Sequence, residues 1–243
     1  MQNAEHLVDV PRTRQEALLG SLLRGYRFRV CEDADSAARA LDVRRRVYRE
    51  SCGYDVPVPD AYDGRSWLLL AEHVRSGDAV GSMRVTPRSG GPFEAEEYLD
   101  LPHSLTLPTA VEVTRFAILP EHRHSRRFLP VVALGLYKLV CRYTRELGTT
   151  DIVICAKPER SWAYQWLAFT RSGITCRYGK LDGAEHELLT CDVRGGMEKH
   201  RDHRYWGFVF ETEHPEIVLP ATIPALGIGR SAARASEQLR RIA

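Results

Sequence analysis

The chain has 243 residues, 44% apolar and 27% charged, with a formal net charge of +2. That length fills one sizeable hydrophobic core, and the composition is that of a globular protein. The near-balanced charge gives no general nucleic-acid footprint. No apolar run approaches the ~18 residues of a membrane span, and MQNAEHLVDVPRTRQE lacks the apolar centre of a secretory leader.

After a weakly helical start, YRFRVCE (26–32) alternates apolar and polar residues and predicts a half-exposed strand. Asp33, Asp35 or Ser36 can cap the helix that follows, and Gly53 can end it. YDVPVPDAYDGRS is a loop by its prolines and glycine. WLLLAEHV and AVGSMRVT flank RSGD and predict a hairpin. The polar excursion PRSGGPFEAEEYLDLPHSLTLPT leads to a strand, VEVTRFAIL (111–119). Pro130 opens a strong helix that runs to Leu147 and closes at Gly148. DIVICA is a buried strand, a helix is expected from about Glu159 to Ser172 with Gly173 as its stop, and ITCRYGK and HELLTCDV form a closing hairpin around LDGA. Alternating helices and strands predict an α/β (α+β) domain with a mixed central sheet flanked by helices, ending near residue 195. Residues 196–243 read as a C-terminal extension that packs on the domain, pairs with another subunit or stays mobile. The cysteines are scattered with no CxxC pair, mostly in apolar runs, which points to buried free thiols and a cytoplasmic protein.

Charges stand where folding does not need them. Arg44 lies in the first main helix, Asp60 and Asp63 in the loop DAYD, Arg84 in the strand GSMRV, and Glu112 and Arg115 in the strand VEVTRF. A charge in an apolar strand is costly unless paired, so these residues form either a structural ion-pair network or a site. Side chains alternate along a regular strand, which puts Glu112 and Arg115 on opposite faces. They serve one site only if a bulge lies between them, and a regular ladder from Val111 to Ile118 would rule this out.

The set resembles the signature of acyl-homoserine-lactone synthases, whose pattern runs R-x-x-V-F, a Trp, D-x-x-D, G-S-x-R-L-x-P and E-x-S-R-F-A. This chain has RRRVY at 44–48, Tyr54, DAYD at 60–63, GSMRVTP at 81–87 and EVTRFA at 112–117. The resemblance extends from about residue 26 to 195 and implies a GNAT-like acyltransferase fold. It implies transfer of an acyl chain from a thioester on acyl carrier protein, or on coenzyme A, to an amine. Glu112 would be the base, Arg115 would orient it or the substrate carboxylate, Asp60 and Asp63 would hold the amine donor, and Arg44 and Arg84 would fix those aspartates or grip the donor's carboxylate. An oxyanion would meet a backbone N–H on the bulged strand. The family's Phe and Trp are Tyr48 and Tyr54 here, in the wall that would hold S-adenosylmethionine as amine donor. The charged set gives the first reading, a lactone-synthase-like enzyme, while the two tyrosines suit the alternative that follows. The alternative is an N-acyl amino acid synthase that acylates a free amino acid such as tyrosine.

Val113, Phe116, Ile118, Leu134, Trp162 and Trp166 are candidate walls for the acyl chain. GNAT proteins place a glycine-rich pyrophosphate loop after the strand that EVTRFA matches, but EHRHSRRFLP has no glycine there. Its basic run, with Arg123, Arg126 and Arg127, suits docking of an acidic acyl carrier protein. No permanently bound cofactor and no metal are expected, because His200, Asp202 and His203 lack further ligands in view. A GNAT-fold module without catalysis, serving only to bind, is the competing class.

Overall fold

The computed structural model describes residues 13–123, 129–181, 183–193, 195, 200–203 and 205–228. In chain order the elements are α1 (Arg14–Leu23), β1 (Tyr26–Val30), α2 (Ala34–Arg45), β2 (Trp67–His73), β3 (Ala79–Pro87), β4 (Ala110–Ile118), α3 (Val131–Glu146), β5 (Asp151–Ala156), α4 (Ser161–Gln165), β6 (Thr170–Tyr178), β7 (Ala184–Asp192) and β8 (Ile217–Val218). The strands form one mixed sheet in the order β6-β7-β5-β4-β3-β2-β1-β8. Asp33 caps α2, accepting the Ser36 N–H at 2.7 Å. After α2 the chain continues in a wide turn over Arg46–Ser51. α3 starts behind Pro130 and closes at Gly148, whose φ of +69° suits a residue without a Cβ.

The sheet has two differently covered faces. α3 packs on one, joined by Leu19 and Leu23 of α1, Phe28, Leu69, Val85, Val113 and Ile152 in the main core. On the other face, Val43 and Val47 meet Ala117 and Leu119, while Phe93 and Leu105 of the 88–109 excursion cover Ala110, Val153 and Leu188. Register decides what reaches that second face. Between β3 and β4 the partners are Arg84↔Thr114 and Ser82↔Ala117, so two steps on β3 match three on β4. The extra residue makes a bulge, and Arg115 adopts φ +55° within it. The expected bulge is present, and Arg115 shares a face with Glu112.

β4 and β5 run parallel but pair only from Ala110↔Asp151 to Glu112↔Val153. Beyond Glu112 the two strands have no paired residues, and a groove opens between them.

Two sequence expectations are corrected or resolved. The helix expected over 159–172 is α-helical only at Ser161–Gln165, after a 3-10 turn at Pro158–Arg160, and Thr170 already begins β6. The cause is tertiary: Thr170 and Arg171 pair with Thr190 and Leu189, and that ladder overrides local helix propensity. Gly173 is not a helix stop but sits, at φ +76°, in the irregular stretch where the register shifts between Arg171 and Thr175. The described part of the C-terminal segment packs on the domain. Tyr205, Trp206, Phe208, Val209 and Phe210 enter the main core, and β8 extends the sheet beside β1.

Candidate active site

The DAYD segment is a closed turn. Asp63 accepts the Asp60 N–H at 2.7 Å, Asp60 accepts the Tyr62 N–H at 2.9 Å, and the Asp63 N–H donates to the Asp60 carbonyl at 3.3 Å. The loop thereby presents both carboxylates to the sheet. Asp63 is fully buried and takes Arg44 Nη2 at 2.5 Å. Arg44 is therefore paired with Asp63.

Arg84 and Arg115 each bridge the same two carboxylates. Arg84 Nη1 donates to Asp60 Oδ1 at 2.5 Å and Nη2 to Glu94 Oε2 at 2.6 Å. Arg115 Nε donates to Asp60 Oδ2 at 2.8 Å and Nη2 to Glu94 Oε1 at 2.5 Å. The result is a closed ring of two guanidiniums and two carboxylates, nearly all of it buried. Burial pushes the Asp60 carboxyl up, but the Arg84 and Arg115 charges outweigh it and hold Asp60 well below the usual carboxylate range. Burial alone would lower Arg115, yet Glu94 and Asp60 raise it above its ordinary value.

Glu94 is the ring member that the sequence pattern did not single out. It lies in the polar excursion among neighbouring acids, Glu94–Glu97 forming one short helical turn. The only signal is its setting between Phe93 and Ala95, both fully buried. Arg115 binds Glu94 and Asp60; of the two partners expected for it, Glu112 or the substrate carboxylate, Glu112 is not among its contacts, because Glu94 occupies the position facing both arginines.

Glu112 is also fully buried, with its oxygens accepting the backbone N–H of Glu94 at 2.9 Å and of Ala95 at 2.8 Å. Its carboxylate has no ion-pair partner among the described residues. Arg44, Arg84 and Arg115 are already matched by Asp63, Asp60 and Glu94, so Glu112 is the supernumerary carboxyl. Burial raises it to about 7, against the pull of Arg84 and of the two N–H donors and with help from the Glu94 charge.

The groove runs alongside. Its walls are Tyr48, Glu94 and the bulged stretch Val113–Phe116 on one side, with Ile154–Lys157, Arg160 and Tyr164 on the other, closed by Tyr178, Leu181 and His186. Glu94 and Arg115 are therefore where the ring touches the groove, while Asp60, Asp63, Arg44, Arg84 and Glu112 stand behind its wall. Of the expected acyl walls, Val113 and Phe116 line it, whereas Ile118 and Leu134 belong to the main core. Trp162 and Trp166 do not line it either: Trp162 is exposed and packs edge-on against Trp166 at 4.8 Å, and Trp166 leans on Tyr205. Spaced four residues apart, the two rings lie on one side of the α4 turn, and that side meets Tyr205. Tyr54 stands at the margin, 6.3 Å from the Tyr48 ring and accepting Lys157 Nζ at 3.0 Å.

A groove beside a buried charged ring, entered through a splayed pair of parallel strands, has room and charge to hold a thioester against an amine. Comparisons with known proteins give the family. The family model for the N-acyl amino acid synthase FeeM matches residues 39–192, well over half the chain. The chain belongs to the FeeM family of N-acyl amino acid synthases.

Among solved structures, FeeM from uncultured soil microbes superposes with a TM-score of 0.56 at 17% identity, covering 71% of this chain and 93% of that one. BjaI, a CoA-dependent acyl-homoserine lactone synthase with S-adenosylmethionine and isopentyl-CoA bound, gives 0.58 at 18% identity, over 86% of this chain and all of BjaI. An acyl-CoA N-acyltransferase from Pseudomonas aeruginosa gives 0.51 at 14% identity, covering 68% and 98%. These likenesses show the GNAT-like fold. No curated protein matches the chain in sequence.

In this FeeM-family chain the basic loop after β4 is described only in part. His122 accepts or donates toward the Tyr26 hydroxyl at 3.1 Å, and Arg123 Nε donates to the Ile118 carbonyl at 2.6 Å. Arg126 and Arg127 lie outside the described residues. His200 and His203 contact each other at 2.9 Å, and among the described residues no three His, Cys, Asp or Glu side chains gather as metal ligands. No described helix is long and apolar enough to cross a membrane.

Proposed function

We propose that this enzyme transfers an acyl chain from a thioester to the amino group of a free amino acid, with the reacting atoms in the groove between β4 and β5. The observation that carries the reading is the splay beyond Glu112, which opens beside Glu94 and Arg115 in a chain of the FeeM family. The thioester enters along Val113 and Phe116, and the ring holds the acceptor's charged groups. Arg115 faces its carboxylate and Glu94 its ammonium. Glu112, poised near neutrality, takes a proton through water as the C–N bond forms. An N–H of the bulge at Arg115 meets the oxyanion. Tyr48 and Tyr54 wall the acceptor side.

A second reading, lactone synthesis from S-adenosylmethionine, is favoured by the shared arrangement of Arg44, Asp60, Asp63, Arg84, Glu112 and Arg115 and by the fold likeness to BjaI. The acyl donor is a carrier-protein thioester, docked through the basic loop at Arg123, Arg126 and Arg127, or acyl-CoA, which is bound in the BjaI structure. The test offers purified protein both thioesters and either a pool of amino acids or S-adenosylmethionine, with products read by mass spectrometry. An N-acyl amino acid supports the first reading, an acyl lactone the second, and no product from any pairing contradicts both.

A further inference from the structure

Acylation of an amine that arrives protonated releases two protons, and the departing thiolate takes back one. R–NH3+ and R′CO–S–R″ give R′CO–NH–R, HS–R″ and H+. In the reaction proposed above, Glu112 receives the proton lost as the C–N bond forms and the thiolate finally carries it away. The other proton must leave earlier, because an ammonium nitrogen has no lone pair with which to attack. That step needs a second acceptor on the groove wall.

Few wall residues can serve. Glu94 is already an ion-pair partner of Arg84 and Arg115 and in the reading above holds the ammonium by charge. Lys157 and Arg160 are cations. Burial pushes the phenols of Tyr48, Tyr164 and Tyr178 above their ordinary value, so they hold their protons. The Cys155 thiol is likewise raised, through its contact with Cys176 and through burial.

His186 differs from all of these. It stands on β7 opposite Cys176, its ring 4.7 Å from the Tyr178 ring, and it lines the groove. Nδ1 lies 2.9 Å from the Ala184 carbonyl oxygen. A carbonyl oxygen only accepts, so Nδ1 carries the hydrogen and Nε2 carries the lone pair. Nε2 has no hydrogen-bond partner among the described residues.

We propose that His186, through Nε2, is the base that removes the first proton from the incoming ammonium and passes it to solvent. This rests on the acyl-transfer reading of the groove. Burial lowers the imidazole below its usual value, and Lys157 adds to that while the Ala184 carbonyl and Glu159 oppose it. The net effect keeps the ring neutral, and therefore basic, at pH 7. The other facing groups are the Tyr178 phenol and the Cys176 thiol on β6. Glu185 and Glu187, on either side in β7, point to the opposite face, where Arg171 and Ser161 bind Glu187.

The test is kcat/KM for the amine against pH in wild type and H186Q. Without its base the variant depends on acceptor already deprotonated in solution. Its rate is expected to fall at least tenfold at pH 7 and to recover toward wild type as pH approaches the acceptor's own ammonium pKa. An equal deficit at every pH, or none, overturns the proposal. Nitrogen-15 NMR of wild-type histidines gives a readout independent of the variant's folding. Nδ1 is expected protonated and Nε2 bare at pH 7, and the reverse tautomer overturns the assignment. Absence of any acyl product from wild type would count against the acyl-transfer reading, while the tautomer would still judge His186.

Discussion

Arg115 is where a single backbone angle decides the geometry of the charged ring. At φ +55° it leaves the regular ladder and turns its guanidinium to the face that holds Glu112 and Glu94. The need for such a bulge follows from the odd spacing of Glu112 and Arg115, so this part of the site is legible in the sequence. Glu94 is not, because its burial comes from Phe93 and Ala95 folding under the excursion, a long-range event with no local periodicity. Removing one member of a buried ion pair costs roughly 3–5 kcal/mol. Glu94→Gln is therefore expected to lower the melting temperature and to abolish turnover together, whereas Glu112→Gln, at a position with no cation partner among the described residues, should cost far less stability. Calorimetry and a rate assay separate the two. If Glu112 is the ionised base proposed above, then with its folded value at about 7 kcat should rise with pH through that value in wild type and lose the step in Glu112→Gln. Asp60 behaves oppositely with respect to stability. Its carboxyl is held below the unfolded value, so the stability it contributes is present above about pH 4 and is lost as pH falls through the folded value. Acid unfolding followed by circular dichroism should shift to higher pH in Arg84→Met.

Elements are mostly legible where their signals are local. The hairpin β2–β3, the cap at Asp33 and the span of α3 all follow from turn residues, capping chemistry and periodicity. The failed helix over 159–172 marks the opposite case: its residues satisfy a helical pattern, but pairing with β7 determines their state. α3 shows how tightly an element is seated. A Cβ built at Gly135 would meet the Phe28 ring at 2.1 Å, so Gly135→Ala must push β1 and α3 apart. The expected result is a marked fall in melting temperature despite alanine's better helix propensity. α3 also carries Lys138, whose Nζ donates to the carbonyls of Phe208, Val209 and Thr212 at the end of the wide turn Gly207–Glu211. Lys138→Met would leave those carbonyls without their buried donor, at a cost of about 1–3 kcal/mol for each group left unsatisfied. Urea unfolding measures it, and an unchanged midpoint would contradict the capping role.

At the scale of the molecule, the sequence conveys a mixed sheet flanked by helices but not where the chain's last part goes. Residues 205–218 have too short a hydrophobic pattern to announce a destination, yet Tyr205, Trp206, Phe208 and Phe210 complete the core beneath α3, and Trp67 donates to the Pro224 carbonyl at 2.8 Å. A chain ending at Val193 is accordingly expected to lack cooperative unfolding. The separation of β4 and β5 is equally illegible, since it arises from where pairing stops and not from any residue's preference. On that separation the functional account depends. Its most direct test is a crystal structure of the protein with a non-hydrolysable acyl thioester analogue. The acyl chain is expected between Val113–Phe116 and Ile154–Ala156, with the sulfur analogue beside Arg115 and Glu94. An analogue bound elsewhere, with this groove unoccupied, would contradict it.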